Sequence, residues 1–337
     1  MIKQRTFGRT GLRLSELCLG TLNFGWKIDE NQSLAVLDRY HEAGGNFIQS
    51  TGHATESALA AASTRLSEEI VGRWLQSRRI VRDSMVLGTR IRVRRPDDSP
   101  GALAKSLMQK CRESTDRLQA GQLDIVVIEW NDGMLPVSET LAAFDQLVRG
   151  GFARYIVAAN FPGWRVADTL GRAYERSQPR MEALQADYSL VTRARFEPEV
   201  MTMCREHRLG FFACSPLAGG FLARSYDRSS LRGDWIQRHF GTDYNRAVLS
   251  AVSEVARRNG TSVPQAALSW VLANPQVTSA VIGVQSRAQL DDLLGTQVGR
   301  LGLADYAGLA EASVLEEVRL PAEALARQAA YPELLEA

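Results

Sequence analysis

Four apolar runs in this chain end in side chains able to do chemistry. Asn46-Phe47-Ile48 leads into Gln49 and the small, polar stretch Ser50-Thr51-Gly52-His53-Ala54-Thr55-Glu56. Met85 to Thr89 leads into Arg90, Asp124 to Ile128 into Glu129 and Trp130, and Arg154 to Ala159 into Asn160. Arg90 stays protonated at any ordinary pH, so it binds a carboxylate or phosphate or stabilises an oxyanion, but it is a poor proton donor. Glu129 is the best titratable group, with two environments open to it. Beside Arg90 its pKa falls and it serves as a base or an anchor; against Trp130 and other apolar surface its pKa rises and it donates. His53 has an ordinary pKa suited to acid and base work near neutrality. Competing readings are an exposed loop histidine with no chemistry, and an Arg90–Glu129 ion pair that merely fills a cleft. Glu56 is a weaker candidate.

The elements that must position these residues follow from the same runs. They are apolar without alternation, as strands buried on two faces are. With the first of them reaching from Asn46 to Ser50, and with Leu17 to Gly20, Glu182 to Tyr188, Leu209 to Ser215 and Ser279 to Gly283 added to the four, the sequence predicts eight strands. Helical stripes lie between them: Leu34, Leu37 and Tyr40 before Gly44-Gly45; Leu141, Phe144, Leu147 and Val148 before Gly150-Gly151; Val248, Val252, Val255 and Ala256 before Asn259-Gly260. Pro264 opens a further helix and Pro275 closes it. Thr6 to Ser15 alternates polar and apolar residues around Gly8 and Gly11, which reads as a β-hairpin. No linker or low-complexity stretch divides the chain. The expectation is one α/β domain over 1–337, a (β/α)8 TIM barrel with a hairpin cap at 1–15 and a helical tail at 320–337. Gln49, Arg90, Glu129 and Asn160 then converge at the mouth formed by the C-terminal strand ends.

A chain of 337 residues, 45% hydrophobic, can bury a core of this size. Forty basic and 38 acidic residues leave a net charge of +2, which argues against a broad nucleic-acid or membrane face and for a small-molecule substrate. Cys18, Cys111, Cys204 and Cys214 are widely spaced, without metal-ligand spacing, so the expectation is no metal and a reduced, cytoplasmic protein. The N-terminus lacks an apolar leader, and no run reaches membrane-span length. Oligomeric state is left open. Arg92, Arg94 and Arg95 fall in the loop after the third strand; they line the mouth and favour an anion, or, the preferred reading, form a solvated face. No Gly-x-Gly-x-x-Gly, Walker loop, His-Glu-x-x-His or Gly-x-Ser-x-Gly occurs.

Local patterns spread over nearly the whole chain resemble the aldo-keto reductases. They are Gly8-Arg9-Thr10-Gly11-Leu12 with Leu19-Gly20-Thr21, Asn46 to Glu56 followed by Ser67-Glu68, Asn160-Phe161, Gln185 with Tyr188-Ser189-Leu190, Ser215-Pro216-Leu217-Ala218-Gly219-Gly220, and Gly283 with Ser286 and Gln289. The resemblance implies an Asp, Tyr, Lys and His tetrad at the strand ends. Registering the strands instead puts Gln49 at Asp, Arg90 at Lys and Glu129 at His, with His53 or Ala54 near the Tyr position. No Tyr lies between Tyr40 and Tyr155, no Lys between Lys27 and Lys105, and no His between His53 and His207.

The resemblance also implies NADP(H). Asn160 and Gln185 would hold the carboxamide, Ser215, Leu217 and Gly283 would line the cleft, and Ser286, Arg287 and Gln289 would grip the 2′-phosphate. Ala159 stands where the family has Ser, Cys214 where an aromatic ring stacks, and Leu293 where an adenine-side Asn is expected. A capping box over Ser286 to Gln289 needs no ligand and competes with the phosphate reading. The leading expectation is an atypical family enzyme doing non-redox acid/base chemistry, an elimination, dehydration or isomerisation, on a small polar or anionic metabolite. Glu129 and His53 would move protons while Arg90 and Gln49 position the substrate. The alternatives are an NADP(H)-dependent oxidoreductase with an unusual proton donor, and a non-catalytic cofactor-sensing or interaction protein.

Overall fold

The computed structural model describes residues 1–53, 58–93, 101–130, 136–223, 231–296 and 299–314. An antiparallel hairpin, β1 (Gln4–Thr6) and β2 (Arg13–Ser15), precedes eight parallel strands. These are β3 (Leu17–Gly20), β4 (Phe47–His53), β5 (Val86–Val93), β6 (Leu123–Trp130), β7 (Ala153–Ala159), β8 (Met181–Asp187), β9 (Gly210–Cys214) and β10 (Val277–Gly283). Each pairs with the next, and β10 returns to β3, so the sheet closes into a barrel. Around it lie α1 (Glu30–Glu42), α2 (Ala58–Ser77), α3 (Ala102–Leu118), α4 (Val137–Arg149), α5 (Gly163–Glu175), α6 (Thr202–Glu206), α7 (Leu231–Phe240), α8 (Asp243–Asn259), α9 (Val263–Ala273), α10 (Arg287–Leu294) and α11 (Leu303–Ala312).

The uninterrupted apolar runs have a two-sided cause. In β6, Ile125 and Val127 face the barrel interior while Val126 and Ile128 join the larger cluster under the helices. Fully burying such a side chain stabilises the fold by roughly 1.5–3 kcal/mol, so both faces reward aliphatic residues. Phe7 from the hairpin turn plugs the N-terminal end, 5.3 Å from Phe212 and 5.6 Å from Tyr155 between ring centroids. Tyr40 on α1 ties this end together, its hydroxyl 2.7 Å from the Leu17 carbonyl and 2.8 Å from that of Phe47.

Helix ends follow their residue types. Asp29 and Gln32 form a capping box at α1, Ser262 and Gln265 another at α9, and Gly260 ends α8 in the left-handed region with φ +60°. Among the expected boundaries that differ, two are at the hairpin and at β5. Hairpin pairing begins at Gln4 rather than Thr6, because Phe7 and Leu12 already close the turn, the Phe7 amide donating to the Leu12 carbonyl at 2.8 Å. Strand β5 runs on to Val93, so Arg92 is a strand residue and not part of a solvated loop. Arg94, Arg95 and the tail at 320–337 lie outside the described residues.

Candidate active site and cofactor cleft

Strand register brings the chemistry-bearing residues to the C-terminal rim. Gln49 pairs with Gly20 on one side and Gly88 on the other. Arg92 pairs with Glu129, Glu129 with Ala159, Ala159 with Gln185, and Asp187 with Cys214. Side chains two residues apart share a strand face, so Arg90 and Arg92 point the same way.

Glu129 is the centre of a buried cluster and only 4% exposed. Its Oε2 accepts from Arg90 Nε at 3.0 Å. Its Oε1 accepts from Arg92 Nη2 at 3.2 Å and Asn160 Nδ2 at 3.1 Å, and lies in ion-pair contact with Arg90 Nη2 at 2.9 Å. Burial pushes the carboxyl up, but the charges and hydrogen bonds of Arg90 and Arg92 outweigh it and hold Glu129 below the usual carboxylate range. Of the two environments open to Glu129 in sequence, this is the ion-paired one.

Cys214 sits beside the cluster. Its sulfur accepts from Gln185 Nε2 at 3.2 Å and lies 3.8 Å from Arg90 Nη1, and burial pushes the thiol up. His53 ends β4 with its backbone opposite Ile91. Its side chain, with Ala54 and Glu56, lies outside the described residues.

A cavity of about 570 Å³ opens on this rim. Gln49, Thr51, Arg90 and Cys214 line its inner end; Ser215 and Leu217, then Gly283, Gln285 and Gln289, line the rest. Two buried polar atoms on residues that line the inner end, Gln49 Oε1 and Thr51 Oγ1, and Gln185 Oε1 on the neighbour of Cys214, have no hydrogen-bond partner among the described residues. Backbone strain collects here as well. Of the non-glycine residues with positive φ, Arg79, Gln119, Ser177 and Arg208 follow helix ends, whereas Asn160 (+61°), Ser215 (+47°) and Ala218 (+50°) sit at strand ends and in the adjoining turn. Strain of this kind persists where the surroundings over-determine it, and it clusters at ligand sites.

A profile of the Aldo/keto reductase family matches residues 16–312. The chain belongs to this family. It is 32% identical to an uncharacterized oxidoreductase, YrpG, of Bacillus subtilis (strain 168), over 85% of this chain and 88% of the relative. It is 27% identical to aldo-keto reductase dtxS3 of Metarhizium robertsii, over 93% and 90%. A probable voltage-gated potassium channel subunit beta of Oryza sativa subsp. japonica is 26% identical, over 86% and 89%.

Aldo/keto reductase family members typically use NADP(H); of the residues expected to hold it, Ser215, Leu217, Gly283 and Gln289 line the cavity, and Asn160, Gln185, Ser286 and Arg287 do not. The volume lies within the range of small-molecule pockets. Gly219 and Gly220, with φ of +68° and +112°, present backbone at its wall without side chains. The two ends are less regular. Asn160 spends its amide donor on Glu129, and Gln185 leans on the sulfur that replaces a ring. Ser286 caps α10, accepting from the Gln289 amide at 3.1 Å, while Gln289 Oε1 accepts from the Gln285 amide at 2.8 Å. The return bond of the expected capping box thus reaches one residue further back. Arg287 points outward, 3.8 Å from Asp291, and of the three residues expected on the 2′-phosphate Gln289 alone lines the cavity.

Among the described residues no group of His, Cys, Asp and Glu is arranged to hold a metal, and no helix is long and apolar enough to cross a membrane. Thr51 and Arg92 were the site residues least visible in sequence. Their signal was the two-residue period: each follows a recognised site residue, Gln49 or Arg90, by two positions.

Proposed function

We propose that the chain is an NADP(H)-dependent oxidoreductase of the family, working with a replaced tetrad: Gln49 in place of Asp, Arg90 of Lys, Glu129 of His, and no tyrosine. The observation that carries this reading is the cavity of about 570 Å³ running from Gln49 and Arg90 to Gln289. A bound nicotinamide would exchange a hydride with the substrate. Arg90 supplies a fixed cation that anchors an anionic group of the substrate in the cavity. Glu129, ionised, accepting three hydrogen bonds and in ion-pair contact with Arg90 and Arg92, orients Arg90 and does not move a proton. His53, at the end of the strand that carries Gln49, is assigned proton transfer on its ordinary pKa and its place in the chain.

The arrangement around Glu129 counts against the non-redox reading, which asks that carboxylate to give and take protons. A second reading is supported by the relative named as a potassium channel subunit: cofactor binding without turnover. Calorimetric titration with NADPH and NADP+ is the first test. Micromolar binding is expected, and its absence would end the redox reading. With binding established, NADPH oxidation driven by a carbonyl substrate separates the enzyme from the sensor.

A further inference from the structure

We propose that the inner end of the cavity binds a small carboxylate carrying an oxo or hydroxyl oxygen on the neighbouring carbon, a 2-oxo acid or its 2-hydroxy counterpart. Arg90 takes the carboxylate, and Gln49 and Thr51 take the second oxygen. The pairing of the two oxidation states rests on the redox reading; the binding site itself does not.

The charge comes first. Arg90 commits Nε and Nη2 to Glu129, while Nη1 faces only the Cys214 sulfur at 3.8 Å, too far for a strong bond. The side chain is 18% exposed and lines the cavity. Two guanidiniums, Arg90 and Arg92, share the one buried carboxylate of Glu129, which leaves a positive charge over. Asp187 also faces Arg90 but is exposed at the rim, where water and salt screen it. A monoanion matches this surplus. A phosphate dianion would not be neutralised by one free Arg edge and two neutral groups.

The second oxygen follows from Gln49. This side chain is 2% exposed, lines the cavity, and its Oε1 has no hydrogen-bond partner among the described residues. Leaving a buried acceptor unmet carries a desolvation cost, which a ligand hydroxyl would relieve. An amide is two-sided: Nε2 donates to a ketone oxygen, and Oε1 accepts from an alcohol. A carboxylate at the same place only accepts. Thr51, two residues along the same strand and also without a partner for Oγ1, can likewise donate or accept. The wall is therefore suited to both members of a keto and alcohol pair held by one adjacent carboxylate.

The test is calorimetry on the protein saturated with NADP+, using 2-oxobutyrate and 2-hydroxybutyrate as probes. Butyrate lacks the second oxygen and butanone lacks the carboxylate. Both two-function acids should bind at least about tenfold more tightly than either control, since each control leaves a polar group of the site unmatched. Gln49→Leu should erase the advantage of the acids over butyrate and leave butyrate itself unchanged. Arg90→Met should abolish binding of all three acids. Because that variant bares Glu129 and so perturbs folding as well as binding, Gln49→Leu and Thr51→Val, which expose no charge, carry the test independently. Butanone binding as tightly as 2-oxobutyrate, or an unchanged preference in Gln49→Leu, overturns the proposal. A protein that takes NADPH but neither acid keeps the redox reading and loses this site; one that takes the acids without NADPH keeps the site and loses the redox reading.

Discussion

Glu68 and Glu129 are both buried carboxylates paired with arginine, on opposite sides of the same sheet. Glu68, on α2 and 0% exposed, meets the outer face of β4 and β5. Its Oε1 accepts from Ser50 and Thr89 hydroxyls at 2.8 Å each, and its Oε2 from Arg117 Nε at 2.7 Å. Gly52 approaches so closely that an added Cβ would stand 2.3 Å from Glu68 Oε1. Glu129, on the inner face, is as well bonded, but its surroundings are not. Gln49 Oε1, Thr51 Oγ1, Gln185 Oε1 and Arg92 Nε are buried without a partner among the described residues. A polar network with every member matched rigidifies a fold, whereas one with open members is costly unless something else completes it. The outer cluster is built to hold β4 and β5 against α2 and α3; the inner one has the open members that the proposed ligand would complete.

The sharpest break in this comparison is Glu68→Ala. Removing the buried carboxylate takes from Arg117 its 2.7 Å partner, leaving the 3.9 Å pair with Glu113, and takes an acceptor from the Ser50 and Thr89 hydroxyls; losing one partner of a buried ion pair costs about 3–5 kcal/mol. The urea midpoint should fall accordingly, while affinity for NADPH per folded molecule stays at the wild-type value. A lost affinity without a lost midpoint would reverse the roles given to the two clusters. Gly52→Ala attacks the same contact by crowding. Glu68 is pinned by three hydrogen bonds and cannot swing aside, so the expected cost is that of overpacking, about 1–3 kcal/mol by the same denaturation.

The sequence showed the barrel more fully than it showed the site. Parallel strands buried on two faces must read as solid apolar runs, so Asp124 to Trp130 and Arg154 to Asn160 were found to within a residue of β6 and β7. The runs gave out where polar residues continue a strand, and β4 and β5 extend three residues past the expected ends at Ser50 and Arg90. Those extra residues include Thr51 and Arg92. Arg92 is held extended by its pairing with Glu129, and Thr51 lies at an irregularity between the paired Ser50 and His53, neither of which a local pattern records. Position also decided the chemistry of Glu129. Trp130 beside it in sequence suggested an apolar setting, but neighbouring strands deliver Arg90, Arg92 and Asn160 from 39, 37 and 31 residues away.

Acid separates the clusters further. The folded-state pKa of Glu129 lies below its unfolded value, so its stabilising contribution is complete above the unfolded pKa, about 4.3. It is lost as pH falls through the lower, folded value. In urea titrations taken from pH 7 to pH 3, wild type should lose stability more steeply below pH 4 than Glu129→Gln, which carries no titrating group there. Parallel profiles for the two proteins would mean that the arginines do not hold the carboxylate ionised.

The smallest effect has the opposite sign. Gln49→Leu replaces a buried amide whose oxygen is unmatched by an apolar side chain of similar size, removing a desolvation cost and leaving no stranded partner. Stability should rise by about 1 kcal/mol, read as a higher urea midpoint in the ligand-free protein. Affinity for a ligand that needs the amide should fall in the same variant. A group serving the fold would lose both together, as Glu68 should lose stability. Only a residue kept for something outside the chain improves the empty protein by its removal. A Gln49→Leu protein less stable than wild type would place this amide with the structural cluster, and the inner wall would then be packing rather than a site.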